Sequence, residues 1–283
     1  MDILTEKWCQ KLKRANFSHL SNKLTFVVLG AIVIFFILFI SLPILAVFLR
    51  IDITLVITQL QNAQILNAIS LGLLTSFIAT VGSFCFAVPT AYLLATRKFL
   101  GRSIIDTLLD IPIVLPPAAA GVALLLAFAP KGLLGPLLNS LGLTLPGSII
   151  AVVLAQMFVA SPFILRSAKI AFENVNLDLI NSARILTGSN LRLFFTIILP
   201  LAIRQIISGV MMTWARSMGE FGATLMFAGN LPGITQTMPL AIYLLMSENP
   251  FAAIVLSAIM IVLSFSVLIV VKLLEKKKYG VKS

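Results

Sequence analysis

Long runs of apolar residues occupy most of this chain of 283 residues. A helix needs about 20 consecutive, mainly apolar residues to cross the hydrocarbon core of a bilayer. Charged residues make up only 11% of the chain, against about 25% in soluble domains, so a soluble fold is excluded. Two shorter apolar stretches, Ile65–Ser70 and Leu133–Leu145, are predicted to be interfacial or external. The long runs predict an all-α membrane protein with six transmembrane helices: Leu24–Leu49, one within Gln64–Thr96, Thr107–Ala129, Ser148–Leu165, Pro200–Phe227 and Phe251–Val271.

Lysine and arginine are distributed unevenly between the connections. With six spans, Arg50 and Lys131 face one side, and nearly all other basic residues fall on the opposite side. Because positive residues favour the cytoplasmic side, we expect both termini to be cytoplasmic. The domain limits are then a tail at 1–23, a membrane domain at 24–271 and a second tail at 272–283. The net charge of +11 is explained by this topology, and nucleic-acid binding is not expected.

The sequence lacks the residue patterns that indicate a catalytic, nucleotide-binding or metal site. It contains no G-x-x-x-x-G-K-[ST] phosphate loop, no cluster of metal-ligand residues and no carboxylate pair placed for acid and base work. Cys9 and Cys85 lie in a predicted tail and a predicted span, so they are not expected to form a disulfide. We therefore expect a non-catalytic protein that binds no metal and no cofactor of its own.

A polar, mildly basic segment, residues 168–200, separates the fourth and fifth predicted spans. Asn176 is placed to cap a short helix, Gly188 is suited to a turn, and a second helix is predicted to run to Leu199, with Pro200 in the first turn of the next span. An apolar stripe recurs at helical spacing in the first helix. The stripe consists of Leu179, Ala183 and Leu186.

The same segment resembles the cytoplasmic loop of ABC importer permeases, whose pattern is Glu-Ala-Ala, three residues, Gly, nine residues and Ile-x-Leu-Pro. Counted back from Leu199-Pro200, the Glu-Ala-Ala positions hold Asn181-Ser182-Ala183 and the Gly position holds Thr187. The chain departs from the pattern at Asn181, Ser182 and Thr187, and Gly188 stands one place late. The resemblance implies that residues 168–200 couple the protein to cytosolic ATPases.

Further stretches resemble the molybdate and sulfate permeases of that family. They are Leu108–Leu125 with its Pro116-Pro117 pair, Leu154–Phe163 and Arg216–Thr224, while Phe227–Tyr243 is more similar to molybdate or tungstate permeases than to sulfate ones. The resemblance implies a type I ABC importer permease of a bacterial or archaeal cell membrane, the inner membrane if Gram-negative. It also implies a second permease copy, two ATPases that bind ATP, and an extracytoplasmic oxyanion-binding protein. The alternatives are a sulfate permease built from two different chains and, in another class, an ion-coupled transporter or channel.

The fifth predicted span contains charged residues, which are costly inside a bilayer. Arg216 and Glu220 are four residues apart and can pair on one helix face, which Thr213 and Thr224 extend. The pair either fixes helix packing or lines the transport route. The Pro116-Pro117 pair should kink or interrupt the third span, either beside a water-filled cavity or as a packing kink. The candidate pathway residues are Thr213, Arg216, Gly219, Glu220, Gly222, Thr224, Pro116 and Pro117.

Overall fold

A computed structural model describes residues 19–51, 53–176, 178–180, 182–183 and 188–276, and the regular structure in this part of the chain is helical. Helix α1 belongs to one compact unit, residues 1–50, and the other helices belong to a second, residues 51–283. A π-helical turn, Phe194–Ile198, joins α8 to α9. The helices are α1 His19–Leu49, α2 Ile53–Leu60, α3 Ala63–Thr96, α4 Arg102–Val114, α5 Pro117–Phe128, α6 Gly135–Ser140, α7 Ile149–Glu173, α8 Asn190–Leu193, α9 Leu199–Met218, α10 Gly222–Ala228, α11 Met238–Glu248 and α12 Pro250–Lys276.

The predicted all-α membrane class is confirmed. Within the described ranges, five helical segments are long and apolar enough to cross a membrane, and α4 with α5 makes a sixth if the bent pair counts as one span. The stretch Ile65–Ser70, predicted to be interfacial or external, is continuous with the following span. Those residues lie in α3, which runs unbroken for 34 residues from its cap at Asn62. At 1.5 Å per residue, α3 is about 51 Å long and extends well beyond the hydrocarbon core.

Helices α3, α7 and α9 pack together at the centre of the second unit. Alanines occupy much of the surface at which α3 and α7 meet the core, and these side chains are almost fully buried. In lipid, close packing of helices depends on such small residues, because the acyl chains are as apolar as leucine. The buried alanines include Ala79, Ala87 and Ala91 of α3 and Ala155, Ala160 and Ala168 of α7.

The third predicted span is broken rather than gently kinked. Helix α4 ends at Val114 and α5 begins at Pro117, and the two helix axes are bent by 116°. Proline lacks a backbone donor and its ring crowds the preceding turn, so Pro116 ends the first helix, while Pro117 suits the first position of the second. The interruption predicted from Pro116-Pro117 is present, but Thr107–Ala129 is not one continuous helix.

The prediction of one helix over Pro200–Phe227 is also wrong. Helix α9 ends at Met218, and the chain leaves helical geometry at Gly219 and Phe221 before α10 begins at Gly222. Helix α10 packs mainly against α5 and then against α7. Each broken span therefore contributes one short helix to the same contact, so the two breaks lie side by side.

Candidate functional site

The segment between α7 and α9 begins later than predicted. Helix α7 continues through Ala168 to Glu173, so these residues extend the fourth span instead of opening the loop. The side-chain oxygen of Asn176 accepts a hydrogen bond of 2.8 Å from the backbone N–H of Asp178, as expected for a helix cap. We call residues 174–192, from the end of α7 into α8, the docking loop, because the resemblance to ABC importer permeases implies an ATPase contact there.

The buried face of the docking loop differs from the predicted stripe. Ile180 and Ala183 are buried in a core cluster with Phe172 of α7, whereas Leu179 is 46% exposed. Leu179 and Ala183 of the predicted stripe therefore differ in burial. Ser182, like Leu179, is exposed. Asn181, Leu186 and Thr187 lie outside the described residues.

The second half of the docking loop turns at Gly188, whose φ of +62° is strained for residues with a Cβ. From Asn190 the chain stays helical to Met218, and Pro200 lies in the first turn of α9, as predicted. Pro200 cannot donate a backbone hydrogen bond, and a π-helical turn precedes it, in which the N–H of Leu199 donates to the carbonyl of Phe194. No break in helical structure separates the predicted second helix from α9.

An aromatic cluster supports the docking loop from beneath. The Phe172 ring centroid lies 5.4 Å from that of Tyr92 and 6.0 Å from that of Phe194, and Tyr92 and Phe194 are 4.8 Å apart. These rings come from α7, α3 and the π-helical turn. Aromatic pairs at such distances stabilise beyond their burial, so the two ends of the loop are held to the core.

The two helix breaks meet through glycine. A Cβ on Gly121 of α5 would lie 2.7 Å from the carbonyl oxygen of Ala223, and a Cβ on Gly222 would lie 2.7 Å from the Cβ of Pro117. Both distances are far shorter than ordinary contacts, so a larger residue at either glycine would force α5 and α10 apart. This contact makes the short helices of the two broken spans one packed unit.

An ion pair occupies the break between α9 and α10. Arg216 Nη1 lies 2.6 Å from Glu220 Oε2, and the other carboxylate oxygen accepts a hydrogen bond of 2.9 Å from the backbone N–H of Ala223. The Glu220 side chain is 1% exposed, and the Arg216 side chain is 31% exposed. Because Glu220 stands outside both helices, the two residues pair across the end of α9 and not along one helix face. The Glu220 carboxylate thus contacts both the end of α9 and the first turn of α10, and part of the Arg216 side chain stays exposed.

The other candidate pathway residues occupy different surroundings. Thr213 and Thr224 are fully buried and belong to separate helices, so the continuous polar face predicted for them does not exist. Their hydroxyl groups have no hydrogen-bond partner among the described residues. Gly219 is exposed, and the exposed Tyr243 packs its ring 5.4 Å from that of Phe221, a residue of the break. We call these two exposed residues, together with the partly exposed Arg216, the open side of the break.

Sequence reasoning missed three ion pairs between α4 and α7. We call them the ion-pair ladder: Arg102–Glu173 at 3.2 Å, Asp106–Lys169 at 2.6 Å and Asp110–Arg166 at 2.7 Å. The partners are 56 to 71 residues apart in sequence, which hides the pairing. A signal was nevertheless present in the sequence. Charged residues recur every three or four positions on both helices, and the order of signs along α4 is complementary to the order of signs along α7 when α7 is read backwards.

Comparisons with known proteins show which family the chain belongs to. Residues 87–278 match the family described as the binding-protein-dependent transport system inner membrane component. The chain belongs to this family. Its members are permease subunits of ABC importers, whose partners are ATPases and substrate-binding proteins, and the chain is a multi-pass protein of the cell membrane.

Two relatives are similar over most of their length. A probable transport system permease protein, NifC, of Clostridium pasteurianum is 34% identical over 261 residues, covering 92% of this chain and 91% of the relative. The molybdenum transport system permease protein ModB of Mycobacterium tuberculosis is 37% identical over 229 residues, covering 81% of this chain and 86% of ModB.

A solved structure shares the fold of this permease. It is a bacterial alginate ABC transporter in complex with an alginate-bound periplasmic protein, and the superposition covers 95% of this chain and 100% of the other with a TM-score of 0.74. Sequence identity is only 15%, so this similarity concerns the fold alone. It confirms the expected ABC importer permease architecture.

Proposed function

We propose that this chain is the permease subunit of an ATP-driven importer of molybdate or tungstate, and that it works as a pair of identical copies. The observation that carries this proposal is the 37% identity with a molybdenum permease over 86% of that protein's length. In this proposal the chain performs no chemistry, both termini are cytoplasmic, and the domain limits are 1–23, 24–271 and 272–283. Cytosolic ATPases bind and hydrolyse ATP, and an extracytoplasmic protein delivers the anion.

The docking loop is the proposed contact with the ATPases. Support comes from its buried underside at Ile180 and Ala183, which holds the loop to the core, and from its exposed leucines. Leu179 and Leu191 are exposed on it, and apolar residues that stay exposed mark interaction surfaces when they are clustered. The proposed coupling residues are Asn181, Ser182, Ala183, Thr187, Gly188, Leu199 and Pro200.

The break between α9 and α10 is the proposed part of the pathway. Arg216 offers a partly exposed positive charge, and its pairing with Glu220 weakens the field that an oxyanion would meet. Transport requires sites that attract the ion without holding it tightly. We propose that the open side, formed by Arg216, Gly219 and Tyr243, faces the route between two copies, while Thr213 and Thr224 act from within the subunit.

Substitutions in the docking loop test the ATPase contact. Leu179→Asp adds a charge at an exposed position, so we expect unchanged unfolding but about tenfold weaker ATPase binding, equivalent to about 1.4 kcal/mol. Leu133→Asp, at an exposed leucine on the predicted opposite side, is the matched control and should leave binding unchanged. Ala183→Asp places the charge in the core and should destabilise the permease itself. Wild-type ATPase binding by Leu179→Asp would remove this residue from the interface.

Competition between anions tests the substrate assignment. Uptake of labelled molybdate into proteoliposomes that hold the full importer should be suppressed by unlabelled molybdate or tungstate. Sulfate at the same concentration should have little effect. Strong suppression by sulfate, with weak suppression by tungstate, would assign the chain to sulfate transport and overturn the substrate proposal.

A further inference from the structure

Helix α4 is attached to the rest of the subunit in an unusual way. None of its 13 residues is fully buried, and its half-buried Leu109 packs against the core cluster that includes Leu165 and Ala168 of α7, so the apolar attachment of this helix is limited. The ion-pair ladder instead holds it along α7, and the residues pair in opposite order along the two helices. This order shows that α4 and the last part of α7 run antiparallel.

The ladder lies at the end of α7 that leads into the docking loop. Helix α7 has 25 residues and is about 38 Å long, whereas the hydrocarbon core is about 30 Å thick, so its last residues extend into the interfacial region. The six ladder side chains are 20% to 54% exposed, and five of them, all but Arg102, line a cavity of about 170 Å³. Single ion pairs with this much water contribute little, but three on one helix fix both its angle and its register.

The other end of α4 leads directly to the helix breaks. It stops at Val114, and Leu115 and Pro116 connect it to α5. Helix α5 is in close backbone contact with α10 at Gly121 and Gly222. The first turn of α10 includes Ala223, whose N–H donates to Glu220. A continuous series of contacts therefore runs from the end of α7, through the ladder and α4, to the ion pair in the break.

We infer that the ion-pair ladder is a mechanical tie that makes α4 move with the docking loop and so transmits ATPase movement to the Arg216–Glu220 break. The inference rests on the proposed function of the loop and adds a route by which its movement reaches the pathway. Coupling of this kind needs an element that both sites bias. Helix α4 meets this requirement, because its apolar attachment is weak and its charged attachment is specific. The ladder residues are positioning residues and need not contact the anion.

A charge exchange in the middle pair of the ladder tests the tie. Asp106→Lys places two positive charges together, and we expect the number of anions transported per ATP hydrolysed to fall at least about fivefold, the lower end of typical coupling between sites. ATPase binding should persist, since the docking loop is unchanged. The double variant Asp106→Lys/Lys169→Asp restores an opposite-sign pair and should recover transport per ATP. A general structural defect would not be repaired by this exchange.

The outcomes separate the tie from the proposed function. Failure of the wild-type permease to bind an ATPase would overturn the proposed function without bearing on the ladder. Wild-type coupling in Asp106→Lys, or no recovery in a folded double variant, would overturn the tie.

If Asp106→Lys does not fold, a short cross-linker between the thiols of Arg102→Cys/Glu173→Cys, in a chain without Cys9 and Cys85, gives the decisive result. If α4 and α7 stay joined during transport, the cross-linked permease should still transport the anion. Loss of transport on cross-linking, reversed when the linker is cleaved, would overturn the inference that the ladder is a tie.

Discussion

Substitution of Arg216 by methionine should destabilise the permease because it leaves a buried carboxylate without its charged partner. Glu220 is 1% exposed and has two interactions, the ion pair of 2.6 Å and the hydrogen bond of 2.9 Å from Ala223. Removing one partner of a buried ion pair costs about 3 to 5 kcal/mol. Since Arg216 is 31% exposed, some water reaches the site, and we expect a loss of about 3 kcal/mol.

A matched set of variants isolates the stranded charge from the loss of packing. Glu220→Gln removes the charge and keeps an oxygen that can accept from Ala223. The double variant Arg216→Met/Glu220→Gln buries no charge at this site. Its free energy of unfolding should therefore be about 2 kcal/mol higher than that of Arg216→Met alone, a non-additivity typical of residues in contact. Free energies of unfolding can be measured by titration with sodium dodecyl sulfate in mixed micelles, followed by tryptophan fluorescence.

The result that refutes this reasoning is the absence of any gain in stability when Glu220→Gln is added to Arg216→Met. If the double variant is no more stable than Arg216→Met, the Glu220 carboxylate has another source of stabilisation, and the ion pair does not fix the break. Arg216→Met with wild-type stability would carry the same conclusion. In either case, the position of Glu220 would have to depend on the hydrogen bond from Ala223 and on the packing of α10.

Two further variants test the packing around the site. Gly121→Ala brings a methyl group within 2.7 Å of the Ala223 carbonyl oxygen and should lower the free energy of unfolding by about 1 to 3 kcal/mol. The control is Gly219→Ala, whose added methyl group would be 3.6 Å from its nearest neighbour, and it should cost under about 0.5 kcal/mol. Equal effects of the two variants would refute the close contact of α5 and α10. Phe172→Ala removes a buried ring from the aromatic cluster and should cost about 3 to 5 kcal/mol, measured by the same titration. Phe86→Ala, at a position of α3 that is 70% exposed, is the control, and a larger loss for Phe86 than for Phe172 would contradict the assignment of the cluster.

The membrane-crossing helices were predictable because hydropathy is a local property. Each span needs only a sufficient run of apolar residues, so α1, α3 and α12 could be placed within a few residues of their observed bounds, whereas α7 begins as predicted and runs past Leu165 to Glu173. The interruption at Pro116-Pro117 was also predictable, since proline acts on its own turn. These features depend on neighbours in sequence and hardly at all on the rest of the fold.

The break at Gly219 and the ion-pair ladder depend on distant contacts instead. Arg216 and Glu220 have the spacing of a helix pair, and nothing local distinguishes a helix there from the observed break, which is packed through Gly222 against Pro117. The burial of the loop helix depends on distant contacts for a related reason. Helical spacing alone does not determine which side of a short helix faces the core, and in the structure Ile180 and Ala183 pack in a core cluster with Phe172 while Leu179 is exposed.

Uptake of molybdate by purified components tests the central claim most directly. Proteoliposomes would hold the permease with its ATPase, with the binding protein and molybdate outside and ATP inside, and internal molybdenum would be measured by mass spectrometry. We expect uptake only when both the ATPase and hydrolysable ATP are present. Equal uptake by the permease alone, driven by an ion gradient, would contradict the claim and identify an ion-coupled transporter.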